Sequence, residues 1–83
     1  MTEFYVALHS VNDVRAFVTA ASMTPVDIDV VSGRYTVDAK SILGLFSLSQ
    51  DAPMLVRVYG TDADGEAFRS SVQGLIAQPP KED

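Results

Sequence analysis

Few residues of this 83-residue chain can do chemistry, and the most informative are Lys40-Ser41 at the head of Ile42-Leu43-Gly44-Leu45-Phe46. Ser41 follows a strand-like run and precedes closely spaced apolar residues, so its hydroxyl can cap backbone N–H groups that a first helical turn leaves unpaired. A phosphate there would meet the same donors, with Lys40 as a neighbouring cation. The chain holds one histidine, His9, and no cysteine, which excludes thiolate catalysis, disulfides and cysteine-based zinc sites. A lone histidine with dispersed carboxylates has no metal-ligand spacing. Asp62-Ala63-Asp64-Gly65 looks superficially like a calcium loop, but with Gly65 at the sixth position the twelfth is Ser71, where a carboxylate is required. Nucleophile elbow, phosphate-cradling glycine loop and dinucleotide fingerprint are all missing, so no cofactor and no independent enzymatic activity are expected.

The elements that position these residues are legible as periodicities. Phe4, Val6 and Leu8 alternate with Tyr5, Ala7 and His9, the two-residue period of a strand with one face on a core. Ser10 and Asn12 are both good N-caps for a helix to about Ser22, in which Val14, Phe17, Val18 and Ala21 share one face; Thr24-Pro25 ends it. Val26, Ile28 and Val30 alternate with Asp27 and Asp29, Ser32-Gly33 supplies a turn, and Tyr35 and Val37 resume the alternation as the second half of a hairpin. A short helix from Ser41 to about Ser47 and a loop containing Gln50-Asp51-Ala52-Pro53 lead to a fourth strand carrying Met54, Val56 and Val58, closed by Gly60. Asp62, Asp64 and Glu66 place negative charge at the start of a last helix with a stripe of Phe68, Val72, Leu75 and Ile76. The order β-α-β-β-α-β-α, with strands apolar on one face, predicts an α+β open-faced sandwich with the helices on one side of a single sheet.

A chain this short forms one domain, expected over residues 1–77, and buries only about 60% of its unfolded surface, so a large internal active site is excluded. Residues 78–83, Gln78-Pro79-Pro80-Lys81-Glu82-Asp83, read as a flexible polar tail. Apolar residues make up 47% of the sequence, a globular composition. Eleven acidic against six basic side chains give a net charge of −5, which argues against nucleic acid as a partner. The first residues show neither a basic leader nor a long apolar run, and no stretch approaches membrane-spanning length, so a cytoplasmic monomer without membrane association is expected.

The contiguous segment Ala39-Lys40-Ser41-Ile42-Leu43-Gly44-Leu45-Phe46-Ser47-Leu48 resembles that of the HPr family, small phosphocarriers of bacterial sugar phosphotransferase systems, which often carry Ala-Lys-Ser-Ile-Met-Gly-Leu-Met-Ser-Leu here. Element order and length agree with the family up to about Ile76. The resemblance implies a four-stranded antiparallel sheet in the order 1-4-2-3 with three helices on one face, its first two strands parallel across a right-handed crossover. It also implies ATP-dependent phosphorylation of Ser41 by an HPr kinase-like enzyme. Phosphotransferase-system proteins, or a transcription factor regulating carbon use, are the implied partners. Lys40, Ile42, Leu43, Leu45 and Phe46 would form the docking surface.

The family's phosphocarrier histidine lies in a Gly-Leu-His-x-Arg-Pro-Ala-like motif, of which Ala7-Leu8-His9-Ser10-Val11-Asn12-Asp13 keeps only Leu-His. Alignment without gaps puts Ser10 in the histidine slot; one inserted residue puts His9 there. Phosphoryl transfer through an imidazole needs donors around the phosphoryl oxygens and a cation offsetting their charge. The family's arginine is replaced by Val11 or Asn12 and Asp13 adds a carboxylate; Arg15 is the candidate phosphate contact and could compensate in part, since it lies at a different helical azimuth unless the turn is rebuilt. The expected function is therefore an HPr-like regulatory and binding module modified at Ser41. The alternatives are a phosphocarrier using His9, and an HPr-shaped interaction module in which Ser41 only caps its helix.

Overall fold

The computed structural model describes residues 1–48 and 51–80; Gln50 of the expected loop and Lys81, Glu82 and Asp83 of the expected tail lie outside the described residues. Alternation in the strand sequences places Phe4, Val6, Ile28, Val30, Met54, Val56 and Val58 on one face of the sheet, where all are buried. These strands are β1 (Thr2–Val6), β2 (Asp27–Ser32), β3 (Tyr35–Asp38) and β4 (Met54–Tyr59). Between them run α1 (Val11–Ser22), α2 (Ile42–Phe46) and α3 (Asp62–Ser71). The helices cover the apolar face with Val14, Phe17, Ala21, Leu45 and Phe68. Phe68 is the aromatic hinge of this core, meeting Phe17 edge-on at 5.5 Å between ring centroids and Phe4 at 6.1 Å.

Each helix is started by a hydroxyl that its sequence supplies. Ser10, Ser41 and Thr61 accept from the backbone N–H of Asp13, Gly44 and Asp64 respectively, each at 3.1 Å. At α3 the Asp64 carboxylate also accepts from Thr61 N, completing a reciprocal capping box. Gly65 lets α3 sit directly on β1, because a Cβ there would fall on the side chain of Thr2.

Among the described residues the sheet has five strands in the order β3-β2-β4-β1-β5, all neighbours antiparallel; the four expected strands keep the order 1-4-2-3, and a fifth strand beyond β1 corrects the expected four-stranded sheet. The addition is β5 (Ile76–Ala77), paired with Tyr5 and Val6 on the free side of β1. It also corrects the expected end of the last helix. Val72, Leu75 and Ile76 have helical spacing, yet α3 stops at Ser71; Val72 turns away with φ −117°, a 3₁₀ turn spans Gln73–Leu75, and the chain enters the sheet. Ala7 N bonding to Leu75 O at 2.9 Å fastens this return, so the backbone groups of the chain end are satisfied by β1 instead of by another helical turn.

Among the described residues the other face of the sheet carries no helix. Glu3, Tyr5, Asp27, Asp29, Val31, Thr36, Asp38, Leu55, Arg57 and Tyr59 project from it, as the strand registers and alternation require. Here Arg57 Nε donates to Glu3 Oε2 at 2.8 Å, and this hydrogen bond raises the guanidinium pKa above its ordinary value. Tyr59 Oη donates to Asp29 Oδ2 at 3.0 Å.

Candidate functional site

Two helix N-termini hold the residues singled out by the sequence. At α1 the structure decides the register: Ser10 is the N-cap, with extended backbone (φ −145°, ψ 165°), and His9 is the exposed residue before it. Asp13 reaches back so that its Oδ2 accepts from His9 N at 2.9 Å. A carboxylate therefore sits in the first turn of α1, over amide donors that a phosphoryl group would need. Among the described residues no ion pair engages His9 or Arg15. Arg15 lies exposed along the groove between α1 and α3, with Asp64 and Phe68 among the other lining residues. That position follows from the helix: five residues beyond Ser10 is about 500° of rotation, which turns Arg15 well away from the cap.

At α2, Ser41 is the N-cap (φ −104°, ψ 107°) and is half-buried. The turn that delivers it is built by Asp38, whose carboxylate accepts from Lys40 N at 2.8 Å and whose carbonyl accepts from Ser41 N at 3.0 Å. Ala39, fully buried, anchors the same turn to β2 through its N–H to Ile28 O at 2.9 Å. Gly44 sits at a close approach: a Cβ there would stand 3.2 Å from both Ser41 Oγ and Val37 Cβ. The cap donor and the cap acceptor are thus pressed together against β3.

The expected docking residues divide into two groups. Leu43 is 79% exposed, Phe46 45% and Ile42 37%, an apolar patch beside Ser41 and the half-buried Lys40. Leu45 is fully buried in the core and is removed from that surface, because on so short a helix the residue facing the sheet must fill it.

No protein-family model matches this sequence. No curated protein matches it either. Among solved structures, the crystal structure of HPr-C-His from Thermoanaerobacter tengcongensis aligns over 89% of this chain and 93% of that one, with a TM-score of 0.69 and 26% sequence identity. The fold is HPr-like. Within this HPr-like frame the open-faced arrangement of antiparallel sheet and three helices is shared, and the two serine caps and His9 take their places as described. No helix among the described residues is long and apolar enough to cross a membrane.

The sequence signals missed two features. The strand β5 is too short to show alternation, and its residues fit a helical stripe equally well. Arg15 in the α1/α3 groove could have been placed from helical azimuth alone, but its neighbours across the groove come from α3 and only the packing names them.

Proposed function

We propose that this HPr-like protein is a regulatory and docking module, phosphorylated at Ser41, rather than a carrier working through His9. The observation that carries this reading is the Asp13 carboxylate bound to the amide of His9. A phosphoryl group on the imidazole would bring roughly two negative charges towards a fixed carboxylate, with no paired arginine to offset them. Ser41 also has a carboxylate in its turn, that of Asp38 on the amide of Lys40, but there a lysine stands beside it. Its neighbours are a lysine, a cap N–H donor and an exposed apolar patch, and a phosphate ester on Oγ would add charged acceptors for partner arginines beside that patch.

In this reading an HPr kinase-like enzyme transfers the γ-phosphoryl group of ATP to Ser41 Oγ, releasing ADP and the hydroxyl proton. The modified surface of Lys40, Ile42, Leu43 and Phe46 then docks on a cytoplasmic phosphotransferase-system protein or a regulator of carbon use. The experiment is intact-mass measurement after incubation with ATP and an HPr kinase. One acid-stable phosphate, lost in Ser41→Ala, is expected; no phosphate, or a label that survives the substitution, overturns the reading.

One observation favours the carrier alternative: the His9 side chain is exposed and accepts no hydrogen bond among the described residues. Incubation with phosphoenolpyruvate and the phosphotransferase donor enzyme separates the two readings. An acid-labile label lost in His9→Ala would establish the carrier, and an unlabelled protein is expected here.

A further inference from the structure

The uncovered face of the sheet is ordered in two rows that cross the strands. Register aligns Ala77, Tyr5, Leu55, Val31 and Thr36 side by side over all five strands, an apolar row ending in a threonine. The next row, one pleat along, reads Glu3, Arg57, Asp29, Asp38, with Asp27 and Tyr59 beyond it. Tyr5, Val31, Leu55 and Ala77 are each half-buried, and no helix among the described residues covers them, although Arg69, Gln78 and Pro79 border the groove at the β5 end. Four carboxylates face one guanidinium, and that guanidinium is already bonded to Glu3. The face is therefore an apolar strip flanked by an acidic strip, on the side of the molecule opposite Ser41 and the helices.

We propose that this face docks a cationic amphipathic helix of a protein partner. The charge pattern selects the occupant. An acidic flank whose carboxylates outnumber the nearby cations among the described residues, Arg57 bonded to Glu3 and Arg69 beside Glu66, repels nucleic acid and anionic lipid surfaces alike. A second copy of this chain, apposed face to face about a two-fold axis that crosses the rows, would set one acidic row against another. Backbone chemistry then selects a helix over an extended segment: the N–H and C=O groups of the inner strands are used in the sheet, so the face offers side chains only, and a helix arrives with its own backbone groups satisfied. Size agrees. Four interstrand spacings make the apolar row about 19 Å long, the length of about 13 helical residues. Leucine-like side chains at helical spacing would lie along Tyr5, Leu55 and Val31, and lysine or arginine side chains on one flank would reach Asp29 and Asp38, about one pleat repeat away. A face this small predicts weak, transient docking. Because it lies opposite Ser41, the unmodified chain suffices for the test, and failure of the phosphorylation reading would leave it untouched.

The probe is a synthetic leucine/lysine amphipathic peptide of about 14 residues, titrated into the isotopically labelled full chain and followed by amide NMR shifts. Shifts centred on Tyr5, Asp29, Val31, Leu55 and Arg57 are expected, weakening as salt is raised, and absent with the leucine/glutamate counterpart. Leu55→Lys, a change on the solvent face, should weaken binding by about tenfold or more, and Asp27→Asn with Asp29→Asn by several-fold while the free protein keeps its native spectrum. Shifts centred on Ile42, Leu43 and Phe46 or on the α1/α3 groove, equal binding of the glutamate peptide, or no shifts at about 1 mM peptide would each overturn the proposal. So would concentration-dependent shifts of the same residues without peptide, which would make a second copy the occupant.

Discussion

Asp13 Oδ2 accepts the backbone N–H of His9 at 2.9 Å, while the N–H of Asp13 itself donates to Ser10 Oγ, so the carboxylate and the hydroxyl lock the entrance of α1 from both sides. This pair treats the N-terminus as a structural joint. The helix dipole is met by the protein's own anion, which removes the inducement for an external one. Replacing Asp13 by Ala should lower stability by about 1 kcal/mol, through the lost hydrogen bond and lost dipole contact. Urea denaturation checks this as a lowered midpoint with unchanged slope. An unchanged midpoint would show that the carboxylate does not hold this turn.

The corresponding relationship at α2 separates capping from regulation. Ser41 Oγ accepts from Gly44 N, so Ser41→Ala should cost about 0.5 to 2 kcal/mol, whereas Ser41→Asp keeps an acceptor of similar capping strength and should lie close to the wild type. Thermal unfolding of the three proteins measures the difference. If Ser41→Ala is as stable as the wild type, the hydroxyl contributes nothing to α2.

The contact of Gly65 with Thr2 fixes how closely α3 lies on the edge of β1. Gly65→Ala would push a methyl group onto Thr2 and should cost about 1 to 3 kcal/mol despite the better helix propensity of alanine. In a Thr2→Gly background the same change should be neutral or stabilising, since the obstruction is gone. A double-mutant cycle by denaturant unfolding tests this, and equal costs in both backgrounds would place the effect elsewhere.

Much of this was legible along the chain. The alternation of Phe4, Val6, Ile28, Val30, Met54, Val56 and Val58 determined which faces are buried, because a strand turns successive side chains to opposite sides whatever its partners are. Ser41 was legible as a cap because a hydroxyl before an apolar run answers a need set by the helix itself, whereas Ser10 and Asn12 were equal candidates for α1 until the structure selected Ser10. Leu45 and Ile76 were not legible. Within five residues Ile42, Leu43, Leu45 and Phe46 are equally apolar, and only the position of the sheet beneath α2 selects Leu45 for the core.

Local chemistry thus determined most of the elements and their caps, since each depends on residues a few positions apart. Tertiary structure alone decided the rest: β5 pairing with β1, Arg15 lying in the groove beside α3, and the rows that align Tyr5 with Leu55 and Val31, and Arg57 with Asp29. Those placements depend on register and packing between segments up to the whole chain length apart, and a short run of sequence carries no record of the partner it will meet.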